Sequence, residues 1–437
     1  MQTQRDHVHA HTFMMGRIGS ALVEGDPTGA ELPGRRAQTG LLVGVVLALL
    51  VTAGFGVYGW LVPGGSRAWA TPGAILVEKE TGTRYVYLDG VLHPTANLTS
   101  AMLIQGGRNT VKLISAASLA GLPRGPQVGI PDAPQTVPDP DRLRAGPWLA
   151  CLAGSVTDEA GDRLGVVLDP RAPATPVAPG TFALARDGDR VYLLTGGRKH
   201  RVDDPAVLVA LGAATVRPVP APAVWLGWLP DGVALAPAAL PGAGSAGPRV
   251  AGRSYPVGTL FRQADQIFVL RADGLAALSA TEFLLLTATT GKPVEVDAAA
   301  IVAADRSADR TLMDRLPDLT GLRPADAPGT VLCLRQRPAG DGVLAQEVVV
   351  TPRGTPGATG GVHAEPGTGM SVYAAPVIGH DPREPWYVDD TGTAYPLAGT
   401  DAVPALGLDR AVAVPFPRGL LALLPHGPAL SPSAARG

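Results

Sequence analysis

An uninterrupted apolar run near the amino terminus limits what this chain can fold into more than any other feature. No charged residue occurs between Arg36 and Arg67, and the 23 residues from Gly40 to Val62 are almost wholly apolar. As a helix the run is roughly 35 Å long, which is enough to cross a bilayer. An isolated segment in hydrocarbon must satisfy its own backbone hydrogen bonds, so one membrane helix is expected. A cleaved signal peptide is the alternative, but its leader and apolar region would be shorter.

Charges beside the run indicate its orientation. Arg35 and Arg36 stand next to its amino end, which favours a cytosolic amino terminus and a large carboxyl-terminal region across the membrane. The two cysteines of the chain, Cys151 and Cys333, both lie in that region. An even number of cysteines in an extracytoplasmic compartment predicts a disulfide, and two unpaired buried thiols are the alternative.

Charge and composition exclude one class of partner. The formal net charge is -2 and the chain has four lysines, so no basic stripe is available to displace counterions from a phosphate backbone. We therefore expect no nucleic-acid partner. Glycine and proline are frequent, with 55 and 43 residues, and they separate strand-like runs. This indicates many short strands and turns.

Four similar segments follow the apolar run. Each places β-forming residues before a turn glycine, at Gly90, Gly197, Gly274 and Gly392. An upstream strand completes a hairpin, and a helix with a capping residue follows. The candidate caps are Asn97, Asp204, Ser279 or Thr281, and Thr400 or Asp401. A hairpin with one helix cannot bury its own apolar face, so we expect the copies to pack on a shared core.

The expected fold is α+β: a single transmembrane helix and an elongated extracytoplasmic region of four small β-hairpin/helix repeats around a central β-rich core. A bond between Cys151 and Cys333 would bring together the two ends of the repeat 2 and 3 pair, which gives pseudo-two-fold symmetry. The expected boundaries are a cytosolic segment with an amphipathic helix (1–39), the membrane helix (40–62), repeat 1 (63–124), a first core segment (125–175), repeat 2 (176–220), a connector (221–255), repeat 3 (256–292), a second core segment (293–368), repeat 4 (369–417) and a C-terminal tail (418–437).

No motif in the sequence indicates catalysis. Asp89 and His93 flank Gly90, but two of the four repeats lack the histidine and no nucleophile or metal ligand recurs beside it, so a hairpin turn is favoured. No lysine is followed by Ser or Thr, which excludes a Walker A loop. The alternating histidines His7, His9 and His11 do not share a helix face, so we expect neither a metal nor a cofactor.

Two segments have the pattern of packing surfaces. Gly40, Gly44 and Ala48 form a small-residue stripe on the membrane helix, which would let a partner helix approach closely, although glycine is common in such helices. Before the membrane, apolar residues at helical spacing run from Val8 to Leu22 and end near Gly25 to Pro27. That helix is expected to dock on a cytosolic partner or to rest on the membrane lipid.

The ordered motifs resemble the EccB family, the bitopic membrane component of actinobacterial type VII (ESX) secretion systems. They are AHTFMMGRIGSALVEGD, a span ending in WLVPGG, ILVEKETGTRYVYLDGVLHPTANLTSAMLI, LPRGPQVGIPDAPQTVP and VWLGWLPDGVAL. One departure is MMGR, where the family commonly has paired arginines.

The resemblance implies a non-enzymatic structural subunit that assembles with EccC, EccD and EccE and associates with itself in the plasma membrane. It also implies the disulfide. Some descriptions call the family an ATPase, but phosphoryl transfer needs a phosphate cradle and a positioned cation. An envelope ATPase or hydrolase and a wall-binding module are the alternative functions.

Overall fold

The structure, a computed structural model, describes residues 4–25, 35–61, 67–153, 164–325, 328–340, 342–377 and 383–437. Val62, the last residue of the predicted span, and Pro27, near the end of the predicted amphipathic helix, lie outside these residues. The helices are α1 Gln4–Glu24, α2 Arg35–Leu61, α3 Leu98–Gln105, α4 Ala116–Leu119, α5 Ala206–Ala210, α6 Ala223–Gly227, α7 Ala280–Thr290, α8 Ala298–Ala303, α9 Thr311–Asp314, α10 Ala402–Ala405, α11 Arg418–Leu421 and α12 Pro432–Arg436.

The strands are β1 Ala74–Glu78, β2 Arg84–Leu88, β3 Val91–Pro94, β4 Thr110–Ile114, β5 Trp148–Leu152, β6 Leu164–Val167, β7 Thr175–Pro176, β8 Thr181–Asp187, β9 Arg190–Thr195, β10 Arg198–Val202, β11 Val219–Pro220, β12 Ala246–Val250, β13 Arg253–Pro256, β14 Leu260–Gln263, β15 Gln266–Arg271, β16 Gly274–Ala277, β17 Val294–Glu295, β18 Arg323–Pro324, β19 Thr330–Gly340, β20 Val343–Pro352, β21 Gly361–His363, β22 Met370–Ala375, β23 Pro385–Val388, β24 Ala394–Pro396 and β25 Val414–Pro417.

Helix α2 contains the apolar run. Its residues 37–59 have a mean hydropathy of 2.5, and none of that window is buried against the rest of the chain. An apolar helix of this length with an uncovered surface needs hydrocarbon around it, which agrees with the predicted membrane span. Helix α1 ends at Glu24, where Gly25 has a φ of +70°.

The four repeats share one topology. In each, three antiparallel strands are followed by a helix and by a fourth strand that runs parallel to the first, in the order third, second, first, fourth. The strand sets are β1–β4, β8–β11, β14–β17 and β22–β25. Sequence patterns predict the hairpin and the helix, but the fourth strand has only two residues in repeats 2 and 3 and leaves no periodic signal.

In each of repeats 1 to 3, a side chain at the start of the helix accepts a hydrogen bond from one of the helix's first free N–H groups. The Asn97 side chain accepts a hydrogen bond from the Ser100 N–H at 2.8 Å, and the Asp204 carboxylate accepts from the Ala206 N–H at 2.8 Å. Ser279, not Thr281, caps α7, and its hydroxyl accepts from the Glu282 N–H at 3.1 Å. In repeat 4 the cap position is Asp401, whose side chain makes no capping bond.

After the fourth strand the chain returns to the third strand of its own repeat. Isolated parallel bridges join Leu92 to Arg124, Lys199 to Asp231, Leu275 to Arg306 and Ala394 to His426. We call the stretches of chain that follow the fourth strands and contain Arg124, Asp231, Arg306 and His426 the returning segments. In repeats 2 to 4 the contact positions lie beyond the residues that the sequence pattern assigns to the repeat, because a single bridge has no alternating pattern to detect.

Repeats pack in pairs through their helices. One buried cluster joins repeat 1 to repeat 4, with Leu103 and Ile104 of α3 against Ala402 and Ala435 of α10 and α12. A second joins repeat 2 to repeat 3, with Val207 of α5 against Leu285 of α7. The predicted pairing of repeat 2 with repeat 3 agrees with this arrangement.

A six-stranded sheet, in the order β21-β6-β5-β19-β20-β7, forms the central core. One face packs against repeat 4, where Trp148 contacts Phe416, and against repeat 2, where Ala150 shares a buried cluster with Ala185 and Leu194. The buried clusters that include central strands contain residues of repeats 2 and 4, whereas repeats 1 and 3 pack on their partners. The shared core predicted from the sequence therefore contacts two of the four repeats directly in the described chain.

Candidate functional site

The two cysteines meet in the middle of the central sheet. Cys151 of β5 stands directly opposite Cys333 of β19, with a Cα–Cα distance of 4.0 Å, and their sulfurs are bonded at 2.12 Å. Both residues are fully buried, on the face opposite the one that repeats 2 and 4 cover. The bonded residues are 182 positions apart, and repeats 2 and 3 lie between them. The alternative of two unpaired thiols is wrong.

Helix α2 presents its small-residue stripe to the outside. Gly40, Gly44 and Ala48 are all exposed. A Cβ atom added at Gly40 or Gly44 would meet nothing within 4 Å. In the described residues no element covers this stripe, so helix packing at these positions stays a prediction.

His93 is a structural residue of the first hairpin. Its Nδ1 lies 2.9 Å from the Pro126 carbonyl oxygen of the returning segment. In repeat 2, His200 makes the equivalent contact with the Val233 carbonyl at 2.9 Å. Asp89 occupies the turn with a φ of +47°, away from this bond. The hairpin interpretation of the Asp89 and His93 pair is confirmed.

Tyr395 takes the histidine position in repeat 4. Burial, followed by the nearby Asp389 carboxylate, raises the pKa of Tyr395 to about 12. Asp389 accepts hydrogen bonds from the Thr391 and Thr393 N–H groups at 2.9 Å and so holds the hairpin turn. Burial also raises the pKa of Tyr387. Phenols with raised pKa values stay protonated at neutral pH, so neither phenol is a charged nucleophile and the cluster stabilises the turn.

Two carboxylates connect distant segments of the chain through ion pairs with arginines. Glu282 is fully buried, and its carboxylate accepts hydrogen bonds from the Arg315 guanidinium at 2.6 to 2.9 Å. Glu365 accepts from Arg144 at 2.8 Å and from Arg171 at 2.7 Å, and the Arg144 hydrogen bond lowers the pKa of Glu365. Sequence reasoning missed these pairs, since their members lie 33 to 221 positions apart with no local pattern.

A cleft of about 270 Å³ lies beside the first hairpin of repeat 4. Trp386 and Leu421 form part of its apolar wall, and Arg383, Glu384, Arg418 and His426 are its charged or titratable lining residues. Within the described ranges there is no group of three or more His, Cys, Asp or Glu side chains that could hold a metal ion. Lys199 donates to the Leu229 carbonyl and pairs with Asp231, which makes it a structural cation.

Comparison with known proteins decides the family. The model of the family described as "Type VII secretion system ESX-1, transport TM domain B" matches residues 1–437, which is the whole chain. The chain belongs to the EccB family. The resemblance inferred from the sequence motifs is therefore confirmed.

EccB relatives match over nearly their full length. The protein named ESX-1 secretion system ATPase EccB1 of Mycobacterium tuberculosis (strain ATCC 25618 / H37Rv) is 27% identical over 99% of this chain and 94% of its own. An EccB chain in the structure of an intact ESX-5 inner membrane complex is 24% identical with a TM-score of 0.61, and the match covers 100% of this chain and 95% of that one. The structure of an EccB3 dimer from the ESX-3 core complex is 24% identical with a TM-score of 0.60, over 83% and 100%. These likenesses establish the EccB fold, from the membrane helix to the last repeat.

Proposed function

We propose that this EccB-family chain is a structural subunit of a type VII secretion complex in the plasma membrane. Helix α2 anchors it, and the paired repeats form a scaffold that holds the translocation complex together. The observation that carries the proposal is the match along the whole chain to a family whose solved members lie in ESX inner membrane complexes. A protein that keeps both the membrane helix and the complete repeat domain keeps both halves of such a scaffold.

The proposed orientation places the amino terminus in the cytosol and the repeats outside. Two arginines, Arg35 and Arg36, begin α2, and cationic residues are retained on the cytosolic side of membrane helices. The disulfide supports the same orientation, because such bonds persist outside the reducing cytosol.

The proposed partners are the EccC, EccD and EccE subunits and a second copy of the chain. The stripe of Gly40, Gly44 and Ala48 supports a helix contact, since small residues let backbones approach closely in hydrocarbon. No element of the described chain would have to move to admit a second helix there.

An ATPase is the second candidate, because curated relatives have that word in their names. The scaffold role is favoured because three charged side chains form ion pairs within the fold. Glu282, Glu365 and Lys199 are each held in ion pairs that join segments of the fold. The sequence has no lysine followed by Ser or Thr, so no Walker A loop is available to cradle a triphosphate.

Affinity purification of the full-length chain from its native membrane tests the scaffold. Gly44→Leu with Ala48→Leu should reduce recovery of the other complex subunits severalfold, because bulky side chains separate the helices. Ala53→Leu is the matched control, as Ala53 lies on the opposite side of α2 by helical geometry. Recovery of the chain alone, without other secretion subunits, would contradict the proposal. ATP turnover by the purified chain, abolished by one substitution, would favour the second candidate.

A further inference from the structure

Repeat 1 exposes a strand whose counterparts in repeats 2 and 4 are covered. In those repeats the fourth strands β11 and β25 pack towards the central sheet through Val219 and Phe416. In repeat 1 the first four residues of β4 are exposed, and Val111 and Leu113 are 52% and 65% exposed. Their side chains point to the same side of the strand. Repeat 1 thus has an apolar edge that the described chain does not cover.

Cationic side chains surround this edge. Lys112 lies between the two apolar residues in the sequence, and its side chain points to the opposite face of the strand. Arg108 precedes the strand, and the Lys79 N–H donates to the Ile114 carbonyl at the strand's end. None of the three cations forms an ion pair within the described residues. The nearby Glu80 carboxylate accepts a hydrogen bond from the Ala116 N–H. The chain has four lysines, so two of them here form a local concentration of positive charge.

The connection to the membrane is short. Helix α2 ends at Leu61 and β1 begins at Ala74, and the residues between them span roughly 40 Å at most when fully extended. Repeat 1 is therefore the repeat that the tether keeps next to the bilayer. A tethered surface needs only a weak intrinsic affinity, because its effective concentration at the membrane is high.

We propose that β4 with its flanking cations contacts the anionic lipid headgroups of the leaflet on its own side of the membrane. The charge is complementary to such headgroups, and each cation near an anionic surface improves partitioning roughly fivefold. Addition of a strand from another protein fits less well, since a lysine in the middle of an edge strand opposes strand pairing. Repeat 1 would thereby fix the tilt of the repeat domain above the membrane. The inference rests on anchoring by α2 and not on the partners proposed above.

A fluorescent label reports the contact directly. Full-length Leu113→Cys carries an environment-sensitive dye and is placed in nanodiscs of phosphatidylcholine with or without phosphatidylglycerol, using lipid-bound quenchers. Cys151 and Cys333 are bonded and buried, so they do not take up the label. Quenching at position 113 should rise at least twofold in the anionic discs. Val412→Cys in repeat 4, 86% exposed in the native chain, is the control and should not respond.

Charge reversal separates the possible outcomes. Lys79→Glu with Lys112→Glu should abolish the anionic dependence, whereas Arg249→Glu with Arg253→Glu, also exposed, should leave it intact. Equal emission at position 113 in both lipids and in detergent would overturn the proposal. Emission that instead depends on protein concentration in detergent would show a contact between copies and would also overturn it. The lysine variant should still co-purify with its complex, so the scaffold proposal stands or falls separately.

Discussion

The two pairs of repeats are built from the same unit but are joined differently. Repeats 1 and 4 pack α3 against α10 and α12, with hydrogen bonds from Asn109 to the Ala405 carbonyl and from Arg436 to the Ile104 carbonyl. Repeats 2 and 3 pack α5 on α7. The Glu282 and Arg315 pair of repeat 3 and its following segment holds the connector between the two repeats, because Glu282 accepts from the Ala238 N–H and Arg315 donates to the Ala236 carbonyl. The two hydrogen bonds between repeats 1 and 4 join residues that are 296 and 332 positions apart. Repeats 2 and 3, in contrast, follow one another in the chain.

This difference in chain distance makes the pairs depend differently on the central sheet. Repeats 2 and 3 follow one another and can meet without the rest of the fold. Repeats 1 and 4 meet only after the chain between them has been closed, and closing a longer loop costs more entropy. The disulfide between β5 and β19 lies where that closure occurs. The central sheet therefore matters more to the packing of repeats 1 and 4, which lie outside the stretch of chain between the two cysteines, than to the packing of repeats 2 and 3.

Removal of the disulfide is the largest test of this comparison. Cys151→Ala with Cys333→Ala should cost on the order of 5 kcal/mol of the free energy of unfolding, because the unfolded chain gains the freedom of a loop that joins positions 182 apart. Hydrogen exchange should show greater loss of protection in α3 and α12 than in α5 and α7. Equal loss in all four helices would mean that both pairs depend on the sheet alike.

The buried ion pair of Glu282 and Arg315 tests the stability of the repeat 2 and 3 pair. Arg315→Met leaves the Glu282 carboxylate buried without its partner, which should cost about 3 to 5 kcal/mol. Protection should fall in α5 and α7 and remain in α3 and α12. Adding Glu282→Gln should restore some of the stability, as it removes the buried charge. Spread of the loss to the repeat 1 and 4 pair would contradict the independence of the two pairs.

The returning segments give a test that compares single repeats. Glycines of three such segments lie under an aromatic ring: Gly125 under His93, Gly232 under His200 and Gly427 under Tyr395. An alanine there would push its Cβ into the ring, and we expect each substitution to cost about 1 to 3 kcal/mol.

Repeat 3 has Ala277 at the ring position, so it lacks this contact. Gly354→Ala is the matched control, because its Cβ would meet nothing within 4 Å. Denaturation of the three glycine variants should show losses that the control lacks. A loss as large at Gly354 would mean that general backbone effects, and not the ring contacts, set the stability.

The sequence predicts the elements of this fold that have a local physical signature. An uncharged apolar run specifies α2, and β-forming residues beside a turn glycine specify the hairpins. Two cysteines in one compartment leave a single possible pairing. The two-residue strands and the isolated bridges have no such signature, since their register is set by contacts with the rest of the repeat.

The same limit applies to the candidate site. The buried pair of Glu282 and Arg315 depends on a turn after α9, and nothing near either residue in the sequence indicates the other. Which repeats contact the central sheet depends on which fourth strands are apolar and covered. Val414 of β25 is buried and the aligned Leu113 of β4 is exposed, although both are apolar, so the structure is needed to tell the two strands apart.

The smallest test uses acid. The pKa of Glu365 is lowered mainly by Arg144, and the pKa values of Asp273 and Asp309 in repeat 3 are lowered mainly by the hydroxyls of Ser307 and Thr311. A carboxylate with a lowered pKa stabilises the fold above its unfolded value near 4 and loses that contribution as pH falls through its folded value. Both sites should therefore weaken below about pH 4.5.

Salt should separate Glu365, whose pKa is lowered by charged arginines, from Asp273, whose pKa is lowered mainly by the hydrogen bond from the neutral Ser307 hydroxyl. Salt screens the attraction between charges and has little effect on a hydrogen bond from a neutral hydroxyl. Asp309 forms an ion pair with Arg271 at 2.9 Å, so its response to salt does not distinguish the sites. At 1 M NaCl, roughly ten times the ionic strength of ordinary buffers, acid should change amide exchange at Thr368, whose N–H donates to the Glu365 carbonyl, less than it does at low salt. Exchange at Ala308, whose N–H donates to the Asp273 carboxylate, should keep its dependence on pH. Arg144→Gln should reproduce the effect of salt at Thr368 alone. If salt changed both sites equally, the link between the segments that follow repeat 1 and precede repeat 4 would not depend on charge, and the two pairs would be alike in this respect.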